Sequence, residues 1–242
     1  MKSGVLRSEP QEIEAKFLIR SPSIHRRLAA IRTLGPFRLI RWGREVQDNR
    51  YWDSRGLCLR RCRAALKTRQ VGGRAEITFK REIAYQRGIS RRIELTVPAR
   101  PDRIEALMRG IKYCVPVFRA RRIVGSRALK QVLWLRTFRR KLLFGRGRQR
   151  VELDLDRVEI RKDGERIGTH LEVELENRGA SEGSFQEALT ALQRRFGKGL
   201  RLSRVPKYEL GLRFLKKQEQ NKGGNKIGPA GSDWVRKGGM TQ

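Results

Sequence analysis

The chain has 242 residues, with 57 Lys or Arg against 25 Asp or Glu, a net charge of +32 and 38% hydrophobic residues. That length suits one large domain or two small ones with a real core, and the charge points to polyanionic partners: nucleic acid, an acidic membrane surface or a highly phosphorylated substrate. No run of about 18 apolar residues marks a membrane-spanning helix, MKSGVLRSEP lacks a signal-peptide core, and three cysteines without a Cys/His cluster argue against a disulfide framework or zinc site. The expected setting is cytoplasmic, with reduced thiols.

In chain order, QEIEAKFLIR (11–20) alternates Glu12, Glu14 and Lys16 with Ile13, Ala15 and Phe17, which reads as a β-strand with one charged face. SPSIHRRLAAIRTLG (21–35) reads as a capped helix that Gly35 ends. Residues 38–53 read as strands and turns, and 57–69 as a further strand carrying Cys58, Cys62, Lys67 and Arg69. VGGR is a hairpin turn, AEITFKRE puts Glu76, Thr78 and Lys80 on one face, and SRRIELTVP pairs Arg92 with Glu94. A second helix is expected over 101–112.

Residues 119–150 hold twelve Lys or Arg and no acid, and end in the strand WLRTFRRKLLF. VELDLDRVEI and THLEVELEN then alternate Glu152, Asp154 and Asp156, and Glu172, Glu174 and Glu176, with apolar residues across a KDGER turn. A third helix is expected over 181–197, with Phe185, Ala188, Leu189, Leu192 and Phe196 inward. PKYELGLRFL closes the folded region, and 216–242 reads as a basic, disordered tail of charge +4, leaving +28 in residues 1–215. Like-signed charges sit at one parity on nearly every strand. A closed antiparallel barrel would gather them into a charged tunnel.

These motifs resemble, in order, those of the CYTH or triphosphate tunnel metalloenzyme family. Glu12-Ile-Glu14-Ala-Lys16 is similar to its ExExK motif, and Tyr51-Trp52-Asp53 with Leu57 and Leu59 to its YYDT segment. Leu66-Lys67-Thr68-Arg69 is similar to LRxR, with Lys67 in place of the first arginine, and Ile77-Thr78-Phe79-Lys80 to xTxK. Arg92-Ile93-Glu94 resembles RxE, Asp154 and Asp156 fit an acidic strand of the second half, Leu171-Glu172-Val173-Glu174 resembles lExE, and Pro206-Lys207-Tyr208 resembles SKY. The resemblance spans 10–215, expected as one tunnel domain, and implies an α+β, mainly β fold: a closed antiparallel barrel of about eight strands with flanking helices.

It also implies a metal-dependent triphosphatase. A triphosphate carries about four negative charges, and neutralising it calls for many cations. Lys16, Lys67, Arg69, Lys80, Arg92, Arg140 and Lys207 are the expected substrate-binding set. For the second-half arginine, Arg140 is chosen because it shares a face with Arg136. Arg139 with Lys141 is the rival register. Glu12, Glu14, Glu172 and Glu174 are the expected ligands of Mg²⁺ or Mn²⁺, with Glu172, Glu174 and Lys80 as catalytic groups. Glu152 and Glu176 are either flanking ion-pair partners or part of the site, and His25 and His170 are read as structural or surface. The substrate is inorganic tripolyphosphate, a nucleoside triphosphate or another organic triphosphate. Two readings stand beside this: adenylyl cyclase of the same family, and a module binding RNA or polyphosphate. The segment 119–150 is expected to form an outer basic surface for such polyanions.

Overall fold

The computed structural model describes residues 10–224. Its strands are β1 (Gln11–Ile19), β2 (Thr33–Leu34), β3 (Phe37–Asp53), β4 (Ala64–Val71), β5 (Arg74–Gln86), β6 (Ile89–Ala99), β7 (Lys130–Arg146), β8 (Gln149–Lys162), β9 (Glu165–Asn177) and β10 (Leu200–Leu202). The helices are α1 (Pro22–Ala29), α2 (Cys58–Arg61), α3 (Ile104–Met108), α4 (Val115–Val124), α5 (Glu182–Phe196) and α6 (Lys207–Gly224). Eight strands pair antiparallel in the order β1-β6-β5-β4-β3-β7-β8-β9, and β9 pairs back to β1. The sheet is therefore a closed barrel, with β10 on β1 and β2 on β3 as extras. Closure removes the edges and forces every second side chain inward.

The outer faces make two cores. Ala15, Phe17, Leu142, Leu153, Leu155, Val173 and Leu175 are buried beneath α1 and α5. Leu66, Ile77 and Phe79 are buried beneath α2, α3 and α4, with Val117, Ala120 and Val124 as the inward stripe of α4. A third cluster lies on the lumen side of β7 and β8, where Leu133, Leu135, Val158 and Ile160 meet Tyr51 and Tyr208, with Leu212, Phe214 and Leu215 of α6 against them. Gly211 lets α6 lie this close, since a Cβ there would come within 2.6 Å of a Leu133 methyl.

Several elements differ from the sequence reading. Residues 58–61 are helical rather than extended, because Leu57 adopts a left-handed conformation that breaks the strand. The first helix stops at Ala29, and Gly35, at φ 57°, belongs instead to the β2–β3 turn. The helix expected over 101–112 is a 3-10 turn (Pro101–Arg103) followed by the five-residue α3. Helix α4 was not expected: its apolar stripe lies among arginines, and Pro116 sits in its first turn. Helix α6 continues past 215 to Gly224, and the remainder of the expected tail, 225–242, lies outside the described residues. Asp163 and Gly164, both at positive φ, form the tight turn expected in KDGER.

Asp53 joins three of these elements. Fully buried, it accepts hydrogen bonds from the backbone N–H groups of Ser54 (2.7 Å), Leu59 (3.0 Å) and Arg60 (3.1 Å) and from the Tyr208 hydroxyl (2.9 Å). The Tyr208 ring stacks on Tyr51 at 5.1 Å. Truncation would leave buried donors without a partner, a costly state. Asp53→Ala is expected to lower unfolding free energy by about 2–4 kcal/mol, and Tyr208→Phe by about 1 kcal/mol. Urea unfolding of both variants checks this. A loss under about 1 kcal/mol for Asp53→Ala would show that it is not the anchor.

Candidate active site

Alternation along eight strands fills the lumen with charge, and the register sorts it into two walls. On β1, β9, β8 and β7 the rows are carboxylate-rich: Glu14 lies opposite Glu176 and then Glu152. Lys16 lies opposite Glu174, then Asp154, then Lys141, and Leu18 opposite Glu172, then Asp156, then Arg139. On β4, β5 and β6 the inward residues include Lys67, Arg69, Lys80 and Arg92. The cavity between the walls has a volume of about 640 Å³ and reaches Arg204, Lys207 and Tyr208 beside α6.

The acidic wall is held by three cations. Lys16 stands 2.8 Å from Glu174 and 3.7 Å from Glu172. Lys207 contacts Glu172, Glu174 (2.8 Å) and Asp156 (3.0 Å). Arg139 donates to both oxygens of Asp156 (2.8 and 2.7 Å), to Glu174 (2.9 Å) and to Asp154. Burial alone would raise the pKa of Glu172 and Glu174, but Lys16 and Lys207 outweigh it and hold both well below the usual carboxylate range. His170 donates to the Glu172 carboxylate at 3.1 Å and stacks on Phe214, so it supports that carboxylate rather than standing apart.

The cationic wall is less balanced. Lys80 lies 2.7 Å from Glu12 and 3.2 Å from Glu94, and Arg92 lies 2.5 Å from Glu14. Arg69 donates to Asn49 at 3.0 Å and approaches Glu76 at 3.4 Å. Lys67 is 6% exposed, and among the described residues its ammonium has no ion pair. Burial, then Arg69 and Lys80, push its pKa well below the ordinary lysine value.

Among the described residues, three sets of carboxylates bring oxygens within 4.8 Å of one another: Glu12 with Glu14 and Glu176, Glu152 with Asp154 and Glu176, and Asp156 with Glu172 and Glu174. The third is neutralised by Lys16, Lys207 and Arg139. The first two are paired less completely: Lys80 meets Glu12, Arg92 meets Glu14, Arg139 meets Asp154, and Arg178 at the rim meets Glu152 (2.7 Å) and Glu176 (2.6 Å). Arg92 approaches Glu14 Oε1 off the hydrogen-bonding direction, leaving that buried oxygen, like Asp154 Oδ1, without a hydrogen bond. Burial, with neighbouring carboxylates adding to it, raises Glu14, lifts Asp154 to about 7 and lifts Glu176 to about 8. A crowded set of hard carboxylate oxygens whose ionisation burial disfavours would ionise around a hard divalent cation, and so fits Mg²⁺ or Mn²⁺.

Of the expected site residues, Glu12, Lys16, Lys67, Arg69, Lys80, Arg92, Glu174 and Lys207 line the one cavity, while Glu14 lies beside it on Arg92 and Glu172 on Lys16 and Lys207. Arg140 does not join them. The arginine in the lumen is Arg139, the rival register, while Arg140 points outward over the Trp42 ring at 5.2 Å. Arg139, Arg140 and Lys141 are all basic, so composition could not choose between the two faces. The four expected metal ligands divide between two sets: Glu12 and Glu14 with Glu176, and Glu172 and Glu174 with Asp156. Glu176 shares the parity of Glu172 and Glu174, which was the signal for placing it in the lumen. The acid-free segment does not stay outside the barrel, because Arg139 and Lys141 face the lumen and Ala120 and Val124 face a core.

The CYTH domain profile matches residues 10–200, and the chain belongs to that family. Among solved structures, a candidate adenylyl cyclase from Hippeastrum with a dominant triphosphatase activity shares the fold at a TM-score of 0.60 and 20% identity, covering 83% of this chain and 94% of that one. A candidate adenylate cyclase from Bacillus halodurans has a TM-score of 0.52 and 21% identity over 81% and 94% of the two chains. The PH1819 protein from Pyrococcus horikoshii has 0.50 and 18% over 84% and 99%. No curated protein matches the chain. Among the described residues no helix is long and apolar enough to cross a membrane.

The raised carboxylates set a pH dependence. In the metal-free protein Glu176, at about 8, binds its proton more tightly folded than unfolded. Its contribution to stability is therefore present at low pH and lost as pH rises from about 4.5 to 8. Glu176→Gln is expected to flatten the fall in Tm between pH 5 and 8, and Mn²⁺ to raise wild-type Tm more at pH 8 than at pH 5. Calorimetry with and without metal tests both. A Tm slope unchanged by Glu176→Gln would remove this carboxylate as its source.

Proposed function

We propose that the chain is a divalent-metal-dependent phosphohydrolase acting on inorganic tripolyphosphate or another triphosphate-bearing molecule held in the tunnel. Lys67 carries the proposal. A buried ammonium among other cations, without an ion-pairing acid among the described residues, costs the folded protein stability. Such a group is retained where an anion is to be bound.

Lys67, Arg69, Lys80 and Arg92 are assigned to the phosphoryl oxygens from one wall, with Lys16, Arg139 and Lys207 meeting them from the other. Arg139 takes the place first given to Arg140. Glu12, Glu14 and Glu176 would hold Mg²⁺ or Mn²⁺, which when bound supplies charge neutralisation at phosphoryl oxygens and a more acidic water. Lys80, kept protonated by Glu12 and Glu94, offsets charge developing on the phosphoryl group. Glu172 and Glu174 remain ionised, so they orient an attacking water by accepting its hydrogen bonds. Their lysine partners are also the cations a phosphate chain would draw away. Anion binding therefore exposes a second acidic set, Asp156 with Glu172 and Glu174, to a further cation. Triphosphate and metal should accordingly strengthen one another's binding. The cyclase reading requires the same triphosphate site and differs in product.

Phosphate release from tripolyphosphate, ATP and thiamine triphosphate, each with Mg²⁺, Mn²⁺ or a chelator, tests the assignment. Release is expected with metal and not with chelator, whereas cyclic AMP formed from ATP would favour the cyclase. No turnover of any of the three under either metal would overturn the hydrolase. Lys67→Gln is expected to raise the metal-free Tm while increasing KM at least about tenfold, the loss of one buried charge-assisted contact. Arg140→Gln should leave turnover near wild type. A Lys67→Gln protein with lower Tm and unchanged KM would mean that Lys67 is a structural cation.

A further inference from the structure

The strands that build the tunnel carry a second charged surface on their outer side. On β3, β7 and β8 the register places Arg50, Trp134 and Arg161 in one cross-strand row, and Val46, Phe138 and Arg157 in another. Between them Asp48, Arg136 and Glu159 form a row, and beyond them Arg44 lies opposite Arg140, with Trp42 next along β3. Three aromatic rings result, each flanked by two guanidinium groups. Trp134 has Arg50 at 5.3 Å and Arg161 at 5.1 Å. Phe138 has Arg136 at 5.9 Å and Arg157 at 3.9 Å. Trp42 has Arg44 at 5.8 Å and Arg140 at 5.2 Å. Trp134, Phe138 and the level of Trp42 are four residues apart along β7, so the rings recur about every 13 Å.

This face is open. Trp42 is 53% exposed and Val46 41% exposed. At the Phe138 level a groove of about 1430 Å³ opens from it towards α1, with Arg44, Val46, Phe138, Arg140 and Arg157 among its walls and Arg139 and His170 at its far side. The two carboxylates in the rows are already engaged: Asp48 accepts from the Trp134 indole at 3.1 Å, and Glu159 takes Arg157 at 2.7 Å and Arg161 at 3.3 Å. The Nε atoms of Arg136, Arg140 and Arg161 are buried without a hydrogen-bond partner. The Arg44–Arg140 end has no acid in its rows, and burial with repulsion from Arg44 and Arg32 lowers the Arg140 pKa.

We infer that this outer face of β3, β7 and β8 is a binding surface for single-stranded nucleic acid. Six arginines supply contacts for backbone phosphates, and the rings and guanidinium planes between them supply stacking surfaces for unpaired bases. A bare polyphosphate would use the arginines and gain nothing from the rings. A duplex keeps its bases stacked away from them. The rings stand on the outer side of strands whose inner side lines the lumen, so the inference stands whether or not the tunnel hydrolyses a triphosphate.

The test uses the full chain, a fluorescently labelled mixed-sequence RNA 20-mer, its duplex, and inorganic polyphosphate of matched charge, titrated by anisotropy at several salt concentrations. The single strand is expected to bind more tightly than the other two and to quench intrinsic tryptophan fluorescence, with the quench reduced in Trp42→Phe. Trp42→Ala should weaken single-strand binding about 5- to 150-fold, the range for one lost base stack. Arg44→Gln with Arg140→Gln should reduce the salt slope by about 1.4, from two fewer phosphate contacts at about 0.7 each. Lys112→Gln with Arg122→Gln, exposed near α3 and α4, should change neither stacking nor quench. Saturating tripolyphosphate, expected to occupy the lumen, should not displace the RNA. Equal binding of polyphosphate or duplex, an unchanged affinity for both outer-face variants, or full displacement by tripolyphosphate would each overturn the inference.

Discussion

The structure depends on compensation of charge that closure forces indoors. A closed barrel turns half of its strand residues into a narrow lumen, and here that half includes Glu14, Lys16, Lys67, Arg139, Asp154, Asp156, Glu172 and Glu174, all buried. An isolated buried ion costs several kcal/mol, and a buried pair is tolerable only with good geometry and further hydrogen bonds. Arg139 meets that requirement by reaching Asp154, Asp156 and Glu174 together. Lys207 supplies a second bridge. It arrives from the first turn of α6, whose next residue, Tyr208, is fixed to Asp53 and Tyr51. The helix that closes one end of the lumen thus also delivers one of its balancing cations.

Compensation is uneven, and the unevenness is where chemistry becomes available. Around Lys16, Lys207 and Arg139 the acids are held ionised. Around Glu14, Asp154 and Glu176 burial and crowding raise the pKa values despite Arg92, Arg139 and Arg178, while across the lumen Lys67 lies among cations and its pKa falls. Opposite shifts facing each other across one cavity describe a site short of a cation on one side and of an anion on the other. A metal–phosphate pair would relieve both at once, which is the physical basis of the proposed reading. The same reasoning disfavours a lumen that binds only polyanions, because the carboxylate rows would repel them.

Much of this was legible in the sequence because a strand face is read by parity alone. QEIEAK, LKTR, ITFK, VELDLD and LEVELE each placed their charges on the inward side, and the barrel followed from the need to hide those faces. Where parity carried no information, the reading failed. In FRRK both faces are basic, so Arg139 and Arg140 could exchange roles, and only the pairing of Arg139 with Asp156 across β7 and β8 decides it. The stripe of Val117, Ala120 and Val124 was present but lay among arginines that drew the segment towards a surface reading. Residues 58–61 could not be assigned by alternation, since the break comes from a left-handed Leu57 and from Asp53 gathering nearby backbone N–H groups. Such long-range capture by one carboxylate has no local pattern.

The excess of positive charge is also explained by strand geometry. On β7, Arg139 and Lys141 face inward and meet acids, whereas Arg136 and Arg140 face outward and meet aromatic rings. The inward set must be balanced, and the lumen acids do this. The outward set is under no such constraint, because a partly solvated guanidinium over a ring is already stabilised. Positive charge can therefore accumulate on the exterior without destabilising the barrel core, and a net +32 is reached although the tunnel is carboxylate-rich. One consequence follows for the lumen itself. A strongly positive exterior draws anions towards the protein over roughly a Debye length, about 8–10 Å at physiological salt. Entry of a polyphosphorylated substrate would therefore be favoured before any tunnel lysine is reached, leaving the lumen residues to discriminate by geometry rather than by attraction alone.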